Sequence, residues 1–301
     1  MLRNLTNVVP LNRPGVWFAR QLVSVSMGVL GPPLRGTRVE QVRSGAVRGE
    51  WVRGPGVTQS DRAIFYIHGS GYVVCSARTH RGLASRLSQA SGAPVFTVDY
   101  RLAPEHSFPA AAQDIETAYR WLLGQGYVSD QIVVAGDSAG GHLAVDLFIE
   151  NARTQTPQPS AAVLFSPLID LSLSLAEAKE RTRRDPMISA ENARKLVSLY
   201  TGRHPADHPR IKLGLAAGTA LPPLLVQAGG EEMLSADAEY LRALVTQTGG
   251  SCELEIWPGQ MHVFQALPRL IPEARPALRR AGHFITRAWS SSDLSLNEQA
   301  G

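Results

Sequence analysis

The sequence predicts an α/β fold, a mostly parallel eight-stranded sheet with helices on both faces. Three observations lead there. From the third strand candidate onward, short apolar runs alternate with segments of helical period, the order that builds a parallel sheet through helical crossovers. One run, Ile132-Val133-Val134-Ala135, breaks at Gly136-Asp137-Ser138-Ala139-Gly140 into a helical segment, which reads as a tight strand-to-helix turn. At 301 residues, 44% hydrophobic and 19% charged, the chain has the make-up of one large soluble domain.

Residues 1 to about 34 read as one or two short helices, because Leu22, Val25, Ser26 and Val29 have helical spacing. Gly31-Pro32-Pro33 stops that run. The alternating segments 37–44 and 46–53 fold back around Gly45 as a hairpin. Strands are expected at 63–67, 94–99, 131–136, 161–165, 224–228 and 253–257. Helices are expected at 76–91, 109–123, 142–152, 235–248 and 272–288, with Pro109 suited to a first turn. Residues 290–301 are polar and read as a frayed tail. About fifty residues, 171–221, lie between two strands, too many for an ordinary loop, and with the N-terminal helices are expected to form a lid.

Composition narrows the function classes. The net charge of +4 comes from scattered arginines, and the densest group, Arg181, Arg183 and Arg184, is too short for a nucleic-acid stripe. The two cysteines, Cys75 and Cys252, lack metal-ligand spacing and read as free core thiols. The apolar stretch from Val16 to Leu30 is interrupted by Arg20 and Gln21, is too short to span a bilayer and has no cleavage pattern. The expected location is the cytoplasm.

A serine between two glycines at a strand-to-helix turn is the nucleophile elbow, although the same residues also suit an ordinary turn. Its partners must decide. His68-Gly69-Ser70-Gly71-Tyr72 directly follows a strand, and a loop this poor in bulk can aim backbone N–H groups at one oxyanion. The N–H of Ala139, the residue after the serine, is the other expected donor. A serine nucleophile also needs a base and an acid that orients it elsewhere in the chain. Of the eight histidines, His262 in Trp257-Pro258-Gly259-Gln260-Met261-His262-Val263-Phe264 lies in a loop beyond the last strands. His80, His204 and His208 have no such context and read as surface residues.

The loop at His68, the segment Tyr100-Arg101-Leu102-Ala103-Pro104-Glu105-His106-Ser107-Phe108-Pro109-Ala110 with Asp114 beyond it, and the turn at Ser138 together resemble the hormone-sensitive-lipase-like α/β-hydrolases, the bacterial family IV esterases. The resemblance implies the α/β-hydrolase fold with a helical cap. It divides the chain into N-terminal cap helices (1–45), a catalytic domain (46–289) with a cap-contributing insertion (171–221), and a polar tail (290–301). It implies Ser138 as nucleophile, His262 as base, the N–H groups of Ser70, Gly71 and Ala139 as oxyanion hole, and no metal or cofactor. Arg101, Glu105 and Asp114 are then expected beneath the oxyanion loop as buried, partnered charges.

Two departures stand out. Many relatives carry Asp-Pro-Leu after the seventh strand, where this chain has Gly230-Glu231-Glu232-Met233-Leu234. Matching on Leu234 puts Glu232 at the acid position and leaves Asp237 and Glu231 as alternatives. Ser70 stands where most relatives have glycine, which narrows the loop's backbone freedom. The implied substrate is a small carboxylic ester with a short to medium acyl chain. An amidase or specialised deacetylase on the same triad, and a non-catalytic ligand-binding homologue, are the competing readings. No nucleic-acid partner and no stable membrane insertion are expected, and the resemblance allows a homodimer.

Overall fold

The computed structural model describes residues 12–299 apart from 59 and 217, with side chains described to residue 291. Its central strands are the continuous apolar runs: β3 (Ala63–Ile67), β4 (Val95–Val98), β5 (Ile132–Asp137), β6 (Ala161–Phe165) and β7 (Leu224–Gly229) are buried throughout. The antiparallel hairpin β1 (Arg38–Ser44) and β2 (Val47–Arg53) forms one edge, and the half-buried β8 (Cys252–Trp257) forms the other. The eight strands run in the order β1-β2-β4-β3-β5-β6-β7-β8, and every pair from β4 to β8 is parallel. All the catalytically suggestive loops therefore leave the same C-terminal edge of the sheet.

Helices cover both faces. Alternate strand residues such as Ile64, Val133 and Leu225 meet α2 (Ala77–Ser91) and α8 (Ala274–Gln299) on one side. Their neighbours Phe65, Val134 and Val226 meet α3 (Ala110–Gly124), α4 (Ala139–Thr154) and α7 (Ser235–Gln247) on the other. Three further helices are the N-terminal α1 (Arg13–Leu30), and α5 (Ser174–Thr182) and α6 (Ala190–Thr201) in the insertion between β6 and β7.

The structure corrects three expectations. The described N-terminal region holds a helix of 18 residues rather than a short one, and the part of that expectation on residues 1–11 lies outside the described residues. Strand β1 belongs to the sheet, so a cap boundary at residue 45 cuts through a hairpin. Helix α8 runs on to Gln299, because no glycine or proline follows Gly282 within it and polar composition alone does not stop a helix. Among the described residues, no helix is long and apolar enough to cross a membrane.

Candidate active site

Strand β5 ends at Asp137 and α4 begins at Ala139, so Ser138 alone makes the turn, at φ 51° and ψ −121°. A non-glycine residue held there is strained and projects its side chain out of the bend. The flanking glycines follow from close packing. A Cβ on Gly136 would lie 2.9 Å from the Ile67 carbonyl oxygen, and one on Gly140 would collide with that same oxygen. Because the obstacle is backbone, Gly140→Ala is expected to cost about 1–3 kcal/mol or more. Thermal unfolding should show it as a loss on the order of 5 °C in Tm.

Ser138 Oγ lies 3.0 Å from His262 Nε2, and His262 Nδ1 lies 2.5 Å from Glu232 Oε2. These three side chains come from the turns after β5, β8 and β7, which the parallel sheet brings to one edge. Glu232 is fully buried, and its other oxygen accepts from the Ser166 hydroxyl at 2.7 Å and the Gly229 N–H at 2.6 Å. Burial lowers the basicity of His262, but the charge of Glu232 and the hydrogen bond to it outweigh burial, so its pKa is raised.

The other two acid candidates lie elsewhere. Asp237 turns one oxygen to the N–H groups of Ile169 and Asp170, both at 2.8 Å, and burial pushes its pKa up to about 7. Glu231 pairs with Arg183 nearer the surface. Ser166, for which the sequence carried little sign, bridges Glu232 and the backbone beside His262: its hydroxyl donates to Glu232 and accepts from the Val263 N–H at 2.9 Å. Its only local signal is its place immediately after a buried strand, one strand over from Ser138.

Ser70, Gly71 and Tyr72 take three consecutive positive φ values, 97°, 61° and 64°, which turn the loop across the strand ends. The Ser70 hydroxyl folds back onto the carbonyls of Gly69 and Val74, so it braces the loop itself. Ala139 is the first residue of α4, where its N–H has no partner within the helix. From below, Tyr100 donates to the His68 carbonyl at 2.8 Å and stacks on its ring at 4.3 Å. The Ala103 N–H donates to the Tyr72 carbonyl at 2.9 Å.

The charges in that buttress are partnered but not buried, against expectation. Arg101 pairs with Asp114 yet its side chain stays 46% exposed. Glu105 pairs with Arg20 of α1, another residue whose role the sequence reading missed. Arg20 also donates to the carbonyls of Val73 at 2.8 Å and Ala103 at 2.9 Å, so it ties α1 to the loop and its buttress. As an apparent interruption of an apolar helix, it carried no sign of these distant carbonyls.

His80 is not a surface residue. It is buried on the inner face of α2, with Nε2 3.2 Å from Asp137 Oδ1. That oxygen also accepts from the Tyr66 hydroxyl at 2.8 Å and the Gly69 N–H at 3.1 Å, so one carboxylate joins the serine turn to the glycine loop. Burial alone would raise the pKa of Asp137, but His80 and Tyr66 outweigh it and the pKa is lowered. His204 is exposed and His208 half-buried, both edge-on to Phe108. The cysteines are free but only partly buried, and Cys75 lines the cavity above Ser138.

That cavity holds about 300 Å³. Ser138 and His262 form its floor, Val23 and Met27 of α1 one wall, and Met187, Ile188, Leu196 and Val197 of the insertion another. Its lining is almost wholly apolar, which suits a hydrocarbon chain. Among the described residues, no group of three or more His, Cys, Asp or Glu side chains is placed to hold a metal ion.

Known proteins resemble the chain over most of its length. A family model described as alpha/beta hydrolase fold matches residues 64–266. An acetyl-hydrolase of Streptomyces hygroscopicus is 37% identical over 82% of this chain and 82% of its own. The esterase LipU of Mycobacterium tuberculosis is 36% identical over 79% of this chain and 82% of its own. The crystal structure of an esterase from the bacterial hormone-sensitive lipase family superposes with a TM-score of 0.87 at 35% identity, covering 94% of each chain. With its order of strands, its serine turn and these likenesses, the chain belongs to the alpha/beta hydrolase fold family, in the bacterial hormone-sensitive-lipase group.

Proposed function

We propose that the protein hydrolyses carboxylic esters of short to medium acyl chain through an acyl-enzyme formed on Ser138. The observation that carries this reading is the unbroken hydrogen-bonded line from Ser138 through His262 to Glu232 on the floor of an apolar cavity. His262 takes the serine proton as Oγ attacks the ester carbonyl, and Glu232 stabilises the resulting imidazolium. The N–H groups of Ser70, Gly71 and Ala139 receive the oxyanion. His262 then protonates the departing alcohol, and a water activated by the same imidazole releases the acid.

The names of relatives support ester cleavage in particular: acetyl-hydrolase, carboxylesterase/phospholipase and esterase. The 300 Å³ cavity, walled in part by α1 and the insertion, supports small acyl groups. A series of p-nitrophenyl esters from acetate to laurate tests this, alongside a matched anilide. Turnover should peak among the shorter esters and fall steeply at laurate, with the anilide far slower. Maximal turnover at laurate, or no turnover and no labelling of Ser138 by a fluorophosphonate, would overturn the reading.

A further inference from the structure

The loop joining α5 to α6 does more than wall the cavity. Asp185 within it is fully buried, yet no step above uses it. One oxygen accepts from the N–H groups of Met187 at 2.7 Å and Ile188 at 3.2 Å, which curls the loop so that both residues line the cavity. The other oxygen accepts from the Met233 N–H at 2.9 Å. Met233 directly follows Glu232, and on the opposite flank Glu231 pairs with Arg183 of the same loop. The insertion thus grips the chain on both sides of Glu232.

We propose that Asp185 is a positioning residue for the hydrolysis: it fixes the Glu232 segment from the side of the insertion, and so holds the carboxylate against His262. The inference rests on His262 and Glu232 acting as base and acid. His262 Nδ1 meets Glu232 at 2.5 Å, while the charges of Asp185 in the insertion and Asp137 at the end of β5 act on it through space. Burial disfavours the imidazolium, and all three carboxylates oppose burial. A Glu232 no longer held in place by the Met233 N–H bond stabilises the imidazolium less, so loss of Asp185 makes His262 a weaker base. A mere brace for the loop would leave His262's titration alone.

The test is the full-length Asp185→Asn protein, once wild type has shown hydrolysis of p-nitrophenyl acetate that Ser138→Ala abolishes. Absence of that Ser138-dependent hydrolysis would count against the catalytic reading itself, before Asp185 is touched. In Asp185→Asn, kcat should fall about 10-fold or more with KM little changed, and the acid limb of kcat/KM should move down by roughly half a pH unit or more. A folded Asp185→Asn with an unmoved acid limb overturns the proposal, whatever its kcat. The amide cannot accept from Met233 while its oxygen serves the loop, so folding is checked by thermal melt. If the variant does not fold, Arg183→Glu decides. It repels Glu231 at the surface and loosens the same grip, so kcat should fall several-fold, and wild-type kcat would overturn the proposal.

Discussion

Ser138→Ala is expected to lower ester turnover by roughly 10⁴- to 10⁶-fold, the range over which removal of a serine nucleophile acts in such sites. The fold should survive. The substitution removes one hydroxyl and its 3.0 Å contact to His262, a loss of about 1 kcal/mol that leaves the packing of β5 and α4 untouched. Alanine also meets the same backbone strain at φ 51°, so the turn keeps its shape for want of any alternative between Gly136 and Gly140. Turnover of p-nitrophenyl butyrate and a thermal melt, measured together, check both halves. Wild-type turnover in the folded variant would remove Ser138 from the mechanism.

Glu232→Gln should cost about 10³- to 10⁴-fold in kcat, through the proton on His262 rather than through bulk. A carboxylate can only accept, so it holds the imidazole with Nδ1–H toward Glu232 and Nε2 free to accept from Ser138. A glutamine can donate to Nδ1 instead, which puts the proton on Nε2 and blinds it to the serine. The pH profile carries a second signature. The base acts when neutral, and Glu232 raises the His262 pKa against burial, so the acid limb of kcat/KM in wild type should lie above the ordinary histidine value near 6.5. Without the charge, burial prevails and that limb should move to lower pH. Asp237→Ala is the contrast: it leaves the N–H groups of Ile169 and Asp170 without their buried acceptor, so stability should fall while kcat stays within about threefold. The reverse pattern would move the acid role to Asp237.

The same particulars show how legible this chain was. Strand and helix positions could be read because burial on both faces writes continuous apolar runs, and these became β3 to β7. The elbow could be read because its glycines answer contacts within a few residues and with the neighbouring strand end at Ile67. His80 was misread, since nothing in its own helix announces the carboxylate at Asp137. The polar end of α8 was misread because composition stood in for hydrogen bonding. Arg101 and Glu105 were expected inside, although an ion pair satisfies a surface charge as readily as a buried one.

By itself the sequence determined the α/β order, the family and a set of candidates for the site, because each rests on a period or a steric demand carried by adjacent residues. Only the tertiary structure decided which carboxylate meets His262, that Ser166 bridges that carboxylate and the backbone beside His262, and that Arg20 and Asp185 tie α1 and the insertion to neighbouring loops. Ser138 and His262 are 124 residues apart, and His262 and Glu232 are 30 apart. Such partners share no local pattern. They meet because parallel strands deliver their following loops to one edge, where distance and burial select among side chains that look equivalent along the chain.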